Sequence, residues 1–117
     1  MSTTPPDAHL AEDAEDPALI RAKIISETAQ ISWLELQKFY AAGSVITVQP
    51  ELDLIDVAFV FNQDDKQQVA SWLANNSISR TSKEQAQQWF DQATTLWAVV
   101  ISPWILVQDK PDSTTLN

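Results

Sequence analysis

The residues able to do chemistry in this 117-residue chain are few, and most are acids. Asp53 and Asp56, then Asp64 and Asp65, stand close enough in sequence to pair as general acid and base or to hold a divalent cation. Hard cations need several oxygens, usually gathered around a turn with glycine. Neither pair has that framework. Both pairs fall where helices start, and there an aspartate meets the positive end of the helix dipole, worth roughly 0.3–1 kcal/mol. Capping is the favoured reading, and no residue is assigned a catalytic or metal-ligating role. Arg21, with Glu27 and Glu35, is the more informative charged set. An arginine among apolar residues can hold a carboxylate or phosphate ligand in bidentate fashion, or it can tie one helix to another. The structural role is favoured, with Arg21 at least half buried and meeting an acid from elsewhere in the fold.

Other chemistry is excluded by residue type. There is no cysteine, which removes disulfides, thiolate metal sites and cysteine nucleophiles together. The sole histidine, His9, lies in a polar lead-in. The chain has one glycine, so it has no P-loop, no dinucleotide fingerprint and no G-x-S-x-G elbow. Phosphate-cradling loops need backbone that glycine most easily supplies. No cofactor is expected. Five tryptophans (33, 72, 89, 97 and 104) could stack on bases, but that use needs neighbouring Lys and Arg. Trp33, Trp72 and Trp89 recur at core spacing on amphipathic segments and read as filler. Trp97 and Trp104 flank an apolar run, and either, if partly exposed, is a candidate interface anchor.

Charge points the same way. The net charge is −9; residues 1–16 hold five acids and no base, and residues 17–109 hold ten acids against six bases. A negative surface disfavours nucleic acid and anionic membranes, both of which are bound through Lys and Arg. The amino-terminal residues lack a basic segment followed by an apolar run, so a cytoplasmic location is expected.

The elements that must position these residues can be read in order. Residues 1–16 are polar, acidic and proline-containing, and residues 110–117 resemble a frayed end; both read as disordered, leaving a single domain over 17–109. Asp16-Pro17 starts the first helix, with Leu19, Ile20, Ala22, Ile24, Ile25 and Ala29 on one arc and Arg21 among them. Ser32 and Glu35 form a capping box for a second helix that Gly43 ends. The β-branched run 44–49 is a strand stopped by Pro50. Residues 53–62 fit either a strand or a buried helix. Asp64-Asp65 begins another amphipathic segment, Asn75-Asn76 ends it, and 77–80 is a short strand. Ser82 with Gln85 caps the last helix.

The chain then reaches LWAVVISPWILVQ (96–108), apolar at ten of thirteen positions. It is too short to span a bilayer, which takes ~20 apolar residues. Its composition suits a strand covered on both faces. Pro103 divides it into Trp97–Ile101 and the better strand Trp104–Gln108.

With that order in view, the chain resembles a small bacterial family of uncharacterised proteins, domain of unknown function 2288. The likeness is carried by RAKIISETAQISWLEL (21–36), AAGSVITV (41–48), LDLIDVA (52–58) and above all the ending of LWAVVISPWILVQ, Pro103 to Gln108. It covers roughly residues 18–108. Relatives that are alanine-rich where this chain has AFVF imply a helix over 53–62. The resemblance implies no activity, cofactor or catalytic set.

The expected fold is α+β: four to five helices packed on a small, about three-stranded sheet built from 44–49, 77–80 and the central run, with 44–49 beside the final strand. Two functions are carried forward. The first is a small non-enzymatic protein-binding or adaptor domain that uses an exposed strand edge or aromatic patch, a second copy of the chain being one partner it could take. The second is a small-ligand binder or enzyme using carboxylates and Arg21 in a pocket near 97–108.

Overall fold

The computed structural model describes residues 16–109. Among them, five helices and five strands follow in the order α1 (Pro17–Glu27), β1 (Ala29–Ser32), α2 (Trp33–Ala41), β2 (Val45–Val48), α3 (Leu54–Asn62), α4 (Lys66–Ala74), β3 (Ile78–Arg80), α5 (Lys83–Asp91), β4 (Thr95–Ile101) and β5 (Trp104–Gln108). The expected disordered segments 1–16 and 110–117 fall outside the described residues, save Asp16.

Local chemistry sets most of these boundaries. Asp16 accepts the Ala18 N–H, with Pro17 in the first turn of α1. Ser32 caps α2 through the Glu35 N–H, and Ser82 caps α5 through the Gln85 N–H. Asp53 accepts from Ile55 and Asp56, and Asp65 accepts from Gln68. Residues 53–62 are therefore a capped helix, as the resemblance implied. Four helices end in the same way, with a left-handed residue just past the last turn: Gly43, Asp64, Asn76 and Ala93. Each closes its helix through paired hydrogen bonds, such as Gly43 N–H to Tyr40 and Ser44 N–H to Phe39. Ala93, at φ +51°, adopts this conformation with a side chain that disfavours it.

The sheet has the order β1-β4-β5-β2-β3 and is mixed. β5 runs parallel to β2 and antiparallel to β4, while β1–β4 and β2–β3 are antiparallel. The expected neighbours, 44–49 and the final strand, do lie side by side. The sheet is nonetheless larger than the three strands expected. The central run is two strands, folded back on each other as a hairpin with a cis Ser102–Pro103 bond in its turn. The fifth strand, β1, is not among those expected from the sequence, which places Ala29 on the arc of the first helix and Ser32 at the cap of the second. Thr28 breaks that helix instead; its N–H closes on the Ile25 carbonyl and its hydroxyl on the Ile24 carbonyl, so Ala29 emerges extended.

Strand alternation sorts side chains into two cores. Ile46, Val48, Ile78, Val99 and Leu106 join Ile24 of α1 and Leu54, Val57 and Ala58 of α3, with Val69 and Trp72 of α4 against them. Val45, Leu96, Ala98, Ile105 and Val107 meet Trp33 and Leu36 of α2 and Ala86 and Trp89 of α5. Three helices therefore cover one face and two the other. The rings of Trp33 and Trp89 meet at 5.2 Å, and Trp89 Nε1 donates to Asp109. α1 buries less than its sequence arc suggested: Ile24 is inside, while Leu19 and Ile25 remain exposed.

One buried polar side chain ties the layers together. Gln108, 3% exposed at the end of β5, donates its amide to the carbonyls of Gln49 and Leu52 at 2.9 and 2.7 Å. It thereby satisfies the loop between β2 and α3. Gln108→Leu is expected to leave both carbonyls without that donor and to cost about 1–3 kcal/mol in urea unfolding; a neutral result would show that water replaces the amide. Ala93→Gly, which removes a Cβ from a left-handed position, is expected to raise stability by up to about 1 kcal/mol in the same assay.

Candidate functional site: the β4 edge and the hairpin tip

The hydrogen-bonding phase of β4 follows from its hairpin. Ile101 pairs with Trp104 across the two-residue turn. The Ile105 N–H donates to the Ser44 carbonyl at 2.9 Å, toward β2, so Val100–Ile105 is a pair without mutual hydrogen bonds and Ile101–Trp104 is the kind that exchanges its own two. Val99 and Trp97 then bond to β5 in the same phase. Val100, Ala98 and Leu96 turn their N–H and C=O groups to the opposite edge. β1 takes up Ala98 through Ala29 and Leu96 through Ile31, and the Trp33 N–H continues the series to the Thr94 carbonyl at 2.9 Å. β1 begins at Ala29. Val100, two residues beyond Ala98, has no strand opposite it among the described residues, and it is 56% exposed.

Two grooves flank this open stretch. On the face covered by α1 and α3 lies one of about 460 Å³, lined by Lys23, Glu27, Phe61, Asn62, Val100 and Ser102 among others. On the face covered by α2 lies one of about 450 Å³, where Ile31, Phe39, Val100, Pro103 and Ile105 make an apolar floor and Glu35 is the charged member. A third groove, about 290 Å³, runs between the hairpin tip and α4, with Phe61, Leu73, Pro103 and Trp104 along it and Asp64, Asp65 and Lys66 at one end.

The residues singled out in the sequence separate into different environments. Arg21 lies beside Asp56, Nη1 to Oδ1 2.6 Å, and its guanidinium sits 4.4 Å from the centroid of the Phe59 ring. It thus joins α1 to α3 and meets an acid thirty-five positions away, rather than Glu27 or Glu35. Its side chain is 40% exposed and that of Asp56 56%. Glu27 and Glu35 are exposed and lie in separate grooves, one on each side of the β4 edge. Trp97 is half-buried against the α1–α3 core beside Asp53, Ile55 and Gln108. Trp104 is half-buried at the tip, with the Arg80 guanidinium 5.3 Å from its ring centroid. Val100 and Phe39, which complete the surface around the edge, carried no signal of their own in the sequence.

One acid of each pair caps a helix, while Asp56 meets Arg21. Asp53 and Asp65 accept helical N–H groups, and Asp64 lies 3.8 Å from Lys66. Among the described residues, no three acids or histidines gather as a metal site requires. No described helix is long and apolar enough to cross a membrane.

The fold is that of a three-layered α+β protein whose mixed sheet is held between helices, with an unfinished edge on β4. Within that class the chain belongs to the family described as "Protein of unknown function (DUF2288)", whose model matches residues 19–109. It is also similar to the NMR solution structure of PA1075 from Pseudomonas aeruginosa: 39% identity, 88% of this chain and 95% of that chain covered, TM-score 0.72. No curated protein matches the chain.

Because both partners of the Arg21–Asp56 pair are substantially solvated, screening limits what the pair contributes. A double-mutant cycle with Arg21→Ala and Asp56→Ala is expected to give a coupling of about 0.2–1 kcal/mol in chemical denaturation. A coupling several times larger would mark a pair far more desolvated than this geometry allows.

Proposed function

We propose that this chain is a small, acidic, non-enzymatic protein-binding domain of the bacterial cytoplasm. It takes an extended segment of another protein against the open edge of β4. The observation that carries the reading is the outward-facing N–H and C=O of Val100, beyond the start of β1, on a strand whose other edge is paired with β5 from Trp97 to Ile101. Unpaired backbone on an ordered strand is a template for a further strand, and the grooves on either side offer room for its alternating side chains. Likeness to the Pseudomonas protein supports the bacterial setting.

The other function, a ligand pocket built on carboxylates and Arg21, has less support. Arg21 is already occupied by Asp56 and Phe59, and Glu27 and Glu35 face different grooves.

Val100→Pro tests the proposal, since it deletes the outward N–H while removing no hydrogen bond used within the sheet. Peptides selected on the wild-type chain from a random phage-displayed library are expected to bind the variant at least about tenfold more weakly, as loss of a central main-chain hydrogen bond and strand fit implies. The melting temperature should move by only a few degrees. Selected peptides that bind Val100→Pro as tightly as wild type would overturn the reading.

A further inference from the structure

We infer that the occupant of this edge is a basic, alternating segment: apolar side chains on the α2 side and Lys or Arg on the α1 side. The inference rests on the strand-addition reading and names the partner's chemistry.

An added strand opposite Val100 has no freedom in where its side chains go. Successive residues point to opposite faces, so alternate positions enter the two flanking grooves. The groove beside α2 presents Ile31, Phe39 and Pro103, with the side chain of Val100 itself on the same face, and suits a branched apolar residue. The groove beside α1 differs. The register places Ala29 opposite Ala98, so the chain two residues earlier, Glu27, comes to the level of Val100. Glu27 is the last residue of α1, is exposed, and takes part in no ion pair among the described residues. The final turn of α1 contains no basic residue, so the negative end of the helix dipole adds to the Glu27 charge there. Lys23, one turn back, is the nearest basic residue of that groove and lies farther from the open end of β1. A cation on the incoming strand therefore meets Glu27 and the α1 terminus together. Glu35, at the other groove, favours the same sign of charge where the segment leaves the apolar floor. An acidic segment would meet like charge on both sides.

The experiment uses the full chain, ¹⁵N-labelled, with two capped nonapeptides, one alternating Val and Lys and one alternating Val and Glu. The Val/Lys peptide is expected to shift the Val100 amide and to bind about tenfold more tightly than the Val/Glu peptide, as one or two half-solvated charge contacts imply. Glu27→Lys should abolish that preference. Glu84→Lys, on α5 and outside both grooves, should leave it intact and so controls for the overall negative charge. If both peptides shift Val100 with equal affinity, or Glu27→Lys leaves the preference unchanged, the charge assignment fails and strand addition stands. If neither peptide perturbs the Val100 amide, strand addition itself fails.

Discussion

The structure depends on one strand being buried on both faces and paired on both edges. β5 supplies Leu106 to one core and Ile105 and Val107 to the other, with β4 on one side and β2 on the other. Its residues from Ile105 onward are almost wholly removed from water, and each fully buried branched side chain contributes about 1.5–3 kcal/mol. A polar side chain enters such a strand at low cost when its hydrogen bonds are supplied, and the Gln108 amide nitrogen donates to two loop carbonyls. The helices are placed by the same requirement, since each face of β5 needs a cover.

What lies at the margin follows from what lies at the centre. Trp33 on α2 and Trp89 on α5 are buried against each other in one of the two cores. Trp97 within β4 and Trp104 at the start of β5 are only half covered. Arg21 is accounted for by Asp56 and the Phe59 ring, a device for docking α1 on α3. The chemistry left uncommitted is backbone chemistry. On β4 it resides in the hydrogen-bonding groups of Val100, with a glutamate in the groove on either side, and the outer edges of β1 and β3 are unpaired among the described residues as well.

The legible parts of the sequence were those with strong local causes. The capping residues Asp16, Ser32, Asp53, Asp65 and Ser82 all act as caps, and Gly43 and Asn76 end helices through left-handed backbone. The two strands richest in β-branched residues were readable for the same reason. β1 was not: AQIS is short, half polar and continuous with the apolar arc of α1, so only its pairing with β4 makes it a strand. The doubling of the central run was partly visible at Pro103, but a proline in an apolar stretch fits a bulge as well as a turn. The open edge was legible only as an expectation that a small sheet leaves edges. Its location required knowing that β1 stops opposite Ala98. Asp64 and Ala93 as helix terminators left no compositional mark, since neither is glycine.

The strand order also decides when the molecule can come into being. β4 and β5 lie inside the sheet but come last in chain order among the described elements, and β2 reaches its parallel neighbour across nearly sixty residues. Until that carboxy-terminal hairpin is synthesised, β1 has nothing to pair with, and β2 has only the three-residue β3. During translation the helices therefore emerge before the surface they are meant to cover. Productive assembly waits until β5 has been made, and until then the apolar stripes of the helices have no sheet to cover.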